Sequence, residues 1–148
     1  MTARYHYTAC GLDNVYIEGV EIVRDDHGEE VVKIPRIGVL HRLIAKALID
    51  KRGPLDGREL RFLRTEMGMT QAGLAEILHV DAQTVGRWER GETPVQATAD
   101  TLVRKLAAER LDIDPRVPVE ELARRYAVGV TEIEVRITVR DGRYDLAA

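Results

Sequence analysis

One cysteine stands in 148 residues, which excludes an intramolecular disulfide framework and the multi-thiolate zinc sites that draw several cysteines from one chain. No apolar run approaches the roughly 18 residues of a membrane span, and Arg4, His6 and Asp13 interrupt the N-terminal stretch where a signal peptide would be apolar. An excess of one charge sign is missing too. With 22 Lys+Arg against 25 Asp+Glu the net charge is -3, so binding to a polyanion has to be local rather than spread over the surface. There is no internal repeat, no low-complexity tract and no Gly-rich phosphate cradle. The 45% apolar fraction is enough for a core, and these features together lead us to expect a soluble, cytoplasmic chain.

Turn-forming residues divide the chain into three. Gly53-Pro54 and Asp114-Pro115 with Pro118 are the seams, giving expected parts at 1–52, 55–111 and 112–148. In the first, residues 15–23 and 30–34 are β-rich around the turn composition Asp25-Asp26-His27-Gly28, which predicts a hairpin. Ile37, Leu40, Leu43, Ile44, Ala47 and Leu48 then recur at helical spacing. In the last, a short helix is expected over 119–126. Ile133, Val135, Ile137 and Val139 then alternate with polar residues as in a half-buried strand, and Asp141-Gly142 follows as a hairpin turn. That apolar strand face needs a partner, which makes 112–148 a candidate for dimerisation or inter-domain packing, with the helix near 96–111 as the competitor.

The middle part is a series of short capped helices. Asp56 with Glu59 reads as a capping box before Leu60, Leu63 and Met67, and Gly68 stops that helix. Thr70 caps a helix carrying Leu74, Ala75 and Leu78. Asp81 caps another with Val85 and Trp88 inward, ended by Gly91. A fourth, over 96–111, is expected to turn Ala99, Leu102, Val103 and Leu106 inward. The fold class is therefore α+β, mainly α.

With Val85 and Trp88 inward, Ala82, Gln83, Gly86 and Arg87 fall on the opposite face of their helix. Gln83 and Arg87 are one turn apart, and their chemistry suits base edges: Arg to guanine O6 and N7, Gln to adenine N6 and N7. Ala82 offers a methyl contact to thymine.

The stretch TQAGLAEILHVDAQTVGRWERGETP resembles the helix-turn-helix of the Xre class of transcriptional regulators, which includes phage repressors and Cro proteins. It keeps Thr70, Gln71, Leu74, Ala75, Val80, Val85, Trp88, Glu89 and Gly91 of that pattern. The resemblance implies a four- or five-helix domain with Gln83, Arg87 and Ala82 at the bases. Gln71, Thr84, Arg90, Thr93 and Gln96 would lie along the DNA backbone, Gln71 also bracing Gln83, and a structural ion pair would join Arg64 to Glu89. A homodimer on a pseudo-palindromic operator and a bacterial, nucleoid-associated location follow from the same likeness.

The run from Tyr5 through the helix-turn-helix is also similar to antitoxin-like regulators of the MqsA/YgiT type, whose base contacts come from an Asn and an Arg at the positions of Gln83 and Arg87. MqsA carries four zinc-binding cysteines. This sequence keeps at most Cys10, and His6, His27, His41 and His79 supply no second close pair, so no metal is expected. No motif around Cys10 supports a nucleophile. Neither enzyme activity nor a cofactor is expected. The alternative to a plain regulator is an antitoxin whose N-terminal part binds a protein toxin and whose DNA binding serves autoregulation.

Overall fold

In the computed structural model, which describes residues 2–115, 118–126 and 134–147, the chain begins with three strands, β1 (Thr2–His6), β2 (Val15–Arg24) and β3 (Glu30–Lys33). β3 returns antiparallel to β2 through a turn in which the Asp25 carboxylate accepts from the His27 and Glu29 amides, both at 2.9 Å. β1, a strand the sequence pattern does not announce, runs antiparallel along β2 from Glu21 to Tyr16. Two strands near the other end of the chain, β4 (Val135–Arg140) and β5 (Arg143–Leu146), complete the sheet. β4 pairs in parallel with residues 15–18 of β2 and antiparallel with β5. The edge of β4 is thus paired by β2 of the same chain, and Val135 and Ile137 are buried beside Val15 and Ile17 on one face of the sheet. Ile133 lies outside the described residues.

Gly19 is where this sheet changes partners. Arg4 pairs with Glu18 and Ala3 with Val20, so Gly19 is the extra residue of a bulge. Burial switches parity there, from Val15 and Ile17 to Val20. Beyond Gly19, the edge of β2 that carried β4 carries β3. Its φ is +88°, and a Cβ would lie 2.5 Å from the Val139 carbonyl oxygen, so only glycine suits the position.

Among the described residues, six helices follow between β3 and β4: α1 (Ile37–Ile49), α2 (Gly57–Glu66), α3 (Gln71–Leu78), α4 (Ala82–Glu89), α5 (Ala97–Arg110) and α6 (Val119–Arg125). The molecule is α+β and mainly helical. Its contacts separate into two compact units, Met1–Ile44 with Glu134–Ala148, and Ala45–Ile133. These seams differ from sequence breaks at 52 and 112, because β4 and β5 reach back to the N-terminal sheet. Gly53 is also tied to α6, its amide donating to the Arg125 carbonyl at 2.7 Å.

Local capping accounts for the helix ends in the second unit. The Asp56 side chain accepts from the Glu59 amide at 2.8 Å, while Glu59 Oε1 accepts from the Asp56 amide at 2.9 Å, a reciprocal box. Gly68 at φ +71° closes α2. Thr70 Oγ1 accepts from the Gly73 amide at 3.0 Å. Asp81 holds the N-cap position of α4, but its side chain makes no capping bond.

α5 departs from its hydropathy pattern. Leu102 is 42% exposed and Leu106 half-buried, whereas Asp100 and Arg104 are fully buried. The cause is the connection between α1 and α2. Arg104 donates to the carbonyls of Lys51 and Gly53, each at 2.5 Å, and of Ile49 at 3.4 Å. Asp100 faces Arg104 Nε at 2.7 Å and accepts from the Leu55 amide at 2.7 Å. A turning backbone withdrawn from water needs such partners, and these two side chains supply them in place of leucines.

Candidate nucleic-acid interface

α3 and α4 are joined by only three residues, His79, Val80 and Asp81. His79 takes the left-handed conformation (φ 57°, ψ 43°) that ends α3, and its amide donates back to the Glu76 carbonyl. The small Ala75, 2% exposed, lies buried with Leu74, and α4 turns Val85 and Trp88 into the core. Gly57, whose role nothing in its sequence context signals, lets the start of α2 approach α4: a Cβ there would collide with the Trp88 and Glu89 carbonyl oxygens.

One carboxylate ties the three helices together. Glu89 Oε2 accepts from Arg64 Nε at 2.6 Å, and Glu89 Oε1 accepts from Arg64 Nη2 at 2.9 Å and from Gln71 Nε2 at 3.1 Å. Arg64 Nη1 also donates to the Met69 carbonyl at 2.8 Å. The bond to Glu89 raises the Arg64 pKa above its ordinary value, against an opposing effect of burial. The fork-to-fork geometry fixes α4 relative to α2 and α3. Gln71 thus bonds Glu89, and no bond to Gln83 is seen.

Above this scaffold, Gln71, Ala82, Gln83, Gly86, Arg87 and Arg90 line a shallow depression of about 380 Å³. Ala82, Gln83, Arg87 and Arg90 are exposed, and Gln71 is half-buried. Gly86, on the same face, is buried. A Cβ on it would lie 3.0 Å from Arg90 Nη1 and 3.5 Å from Gln71 Oε1, so the missing side chain makes room for those two groups to converge. Thr84 is half-buried, Thr93 and Gln96 are exposed, and none of the three lines the depression. Gln96 is the N-cap residue of α5 without a side-chain cap bond.

A short turn, a three-helix scaffold and an exposed α4 face together describe one known arrangement, and residues 60–113 match the family model for helix-turn-helix. Residues 60–113 are thus a helix-turn-helix domain similar to the Xre type. The family is one of DNA-binding transcriptional regulators, and the match spans α3, α4, α5 and most of α2. No curated protein and no solved structure matches the chain significantly.

Outside the helix-turn-helix, the residues weighed for metal or nucleophilic chemistry have other engagements. His6 Nε2 is 2.7 Å from the Asp13 carbonyl oxygen, His41 Nε2 is 2.8 Å from the Tyr7 hydroxyl, and Cys10 Sγ donates to the Tyr7 carbonyl at 3.7 Å. Among the described residues no helix is long and apolar enough to cross a membrane.

Proposed function

We propose that the chain is a sequence-specific transcriptional regulator that binds a pseudo-palindromic operator as a homodimer, with α4 in the major groove. The convergence of Gln71, Gln83, Arg87 and Arg90 on one exposed surface of the helix-turn-helix carries the reading. Arg87 reads a guanine through O6 and N7, Gln83 an adenine through N6 and N7, and Ala82 meets a thymine methyl. Gln71 at the start of α3, with Thr84, Arg90, Thr93 and Gln96, holds the sugar-phosphate backbone on either side, aided by the N-terminal amides of α3.

One such module touches too few bases for tight specific binding. Two copies about 34 Å apart reach successive major grooves on one DNA face. Leu102 on α5 and Val119 on α6, 42% and 48% exposed, are apolar surface on the DNA-binding unit that a second copy would cover. Selection of bound fragments from genomic DNA tests this reading: two inverted half-sites one helical turn apart are expected, and a single asymmetric site would count against the dimer.

A second reading, in which the protein is an antitoxin, draws support from the separation of the sheet unit from the helix-turn-helix. The toxin would then bind the sheet unit, and DNA binding would serve autoregulation. A toxin reading frame adjoining this gene, whose product co-purifies with the chain, is the expected observation under that reading.

A further inference from the structure

Arg90 and Glu92 flank the end of α4. Gly91, at φ +75°, turns the chain there, and the Glu92 amide donates to the Arg87 carbonyl at 2.9 Å, which fixes Glu92 against the last turn of the helix. From that position its carboxylate meets Arg90 fork to fork, Nε to Oε1 at 3.1 Å and Nη2 to Oε2 at 3.2 Å. The other guanidinium nitrogen, Nη1, is the one that stands over Gly86. Both side chains are well exposed, 59% and 53%, so the pair adds little to folding. Its consequence lies in what it occupies: two donors of a guanidinium are the unit that grips a phosphate, and here a carboxylate of the same chain holds them. The Glu92 carboxyl is held below its ordinary range chiefly by its bond to Arg90, with Arg87 contributing, and Arg90 is raised in turn by Glu92.

We infer that Glu92 is a built-in competitor of DNA phosphate for Arg90, an intramolecular anion that weakens sequence-independent binding and leaves discrimination to Gln83 and Arg87. The inference rests on the reading of the α4 face as the DNA interface. A phosphate approaching that end of α4 must displace Glu92 and then sits beside its negative charge. In effect the protein holds in advance the contact that would otherwise release a counterion from DNA.

The test is a salt titration of binding to a fluorescein-labelled duplex of mixed sequence, followed by anisotropy, for the full chain and its Arg90→Ala, Glu92→Gln and doubly substituted forms. Glu92→Gln is expected to bind up to about tenfold tighter at low salt, with the slope of log K against log salt steeper by about 0.9, the value of one added phosphate contact. Arg90→Ala should weaken the parent's binding, because it removes a backbone contact and leaves the Glu92 charge unpaired, and should abolish the gain in salt slope in the Glu92→Gln background, a coupling that simple removal of a negative charge would not produce. If Glu92→Gln binds like the parent, or keeps its gain without Arg90, the competitor role is overturned while the DNA interface stands. If the parent fails to bind duplex even at low salt, the interface reading fails and the inference with it.

Discussion

A methyl group at position 57 would land on the carbonyl oxygens of Trp88 and Glu89, so Gly57→Ala must part the start of α2 from the end of α4 or distort one of them. Overpacking of this kind costs about 1–3 kcal/mol, and a lower urea midpoint with an unchanged slope is expected. The Glu89 carboxylate, whose side chain is only 4% exposed, is a second such point. Glu89→Ala leaves Arg64 without its partner and Gln71 without its acceptor, with an expected loss of about 3 kcal/mol, the low end for a broken buried pair because Arg64 retains some water contact. Trp88→Ala empties a core position and should cost about 3–5 kcal/mol, readable in the melting temperature.

The helices of the second unit were legible in the sequence wherever a local cap or stop fixes them: Asp56 with Glu59, Thr70, Gly68 and Gly91 all act on chain within a few residues. The inward face of α5 was not legible, because what turns Asp100 and Arg104 inward is the backbone of residues 49–55, about fifty positions away. Hydropathy sees Leu102 as core; unmet carbonyls at the end of α1 decide otherwise. Arg104→Met should therefore cost about 3–5 kcal/mol. Adding Asp100→Leu should not recover it, since the Lys51 and Gly53 carbonyls and the Leu55 amide still lose their partners. Thermal unfolding of the two variants side by side measures this. Lys51 and Glu59, 2.6 Å apart with both side chains 1% exposed, add a pH dependence. Burial, then the charge of Asp56, raises the Glu59 pKa above its ordinary 4.5, against the Asp56 amide and Lys51. The stability linked to this shift is complete below 4.5 and is lost as pH rises through the raised value. The stability difference between the parent and Glu59→Gln should accordingly fall across that interval in denaturant titrations at successive pH values.

At the scale of the whole molecule, the parallel pairing of β2 with β4 joins residues more than a hundred positions apart. No periodicity announces it: alternation shows that the strand has an apolar face and leaves open what covers that face. The candidate interface was more legible than the sheet, since phase on α4 follows from Val85 and Trp88 alone; the burial of Gly86 and the Gln71–Glu89 bond were not, because they depend on how α3 crosses α4. Under the proposed reading, the net charge of -3 and the Glu92 carboxylate beside α4 both hold non-specific binding down, and specificity falls to Gln83 and Arg87. Binding of the parent, Gln83→Ala and Arg87→Ala to a library of randomised operators tests that claim most directly. Each variant is predicted to lose about 1–3 kcal/mol and to relax preference at a single half-site position, with the fold intact by circular dichroism; variants that retain the parent's affinity and preference at every position would contradict it.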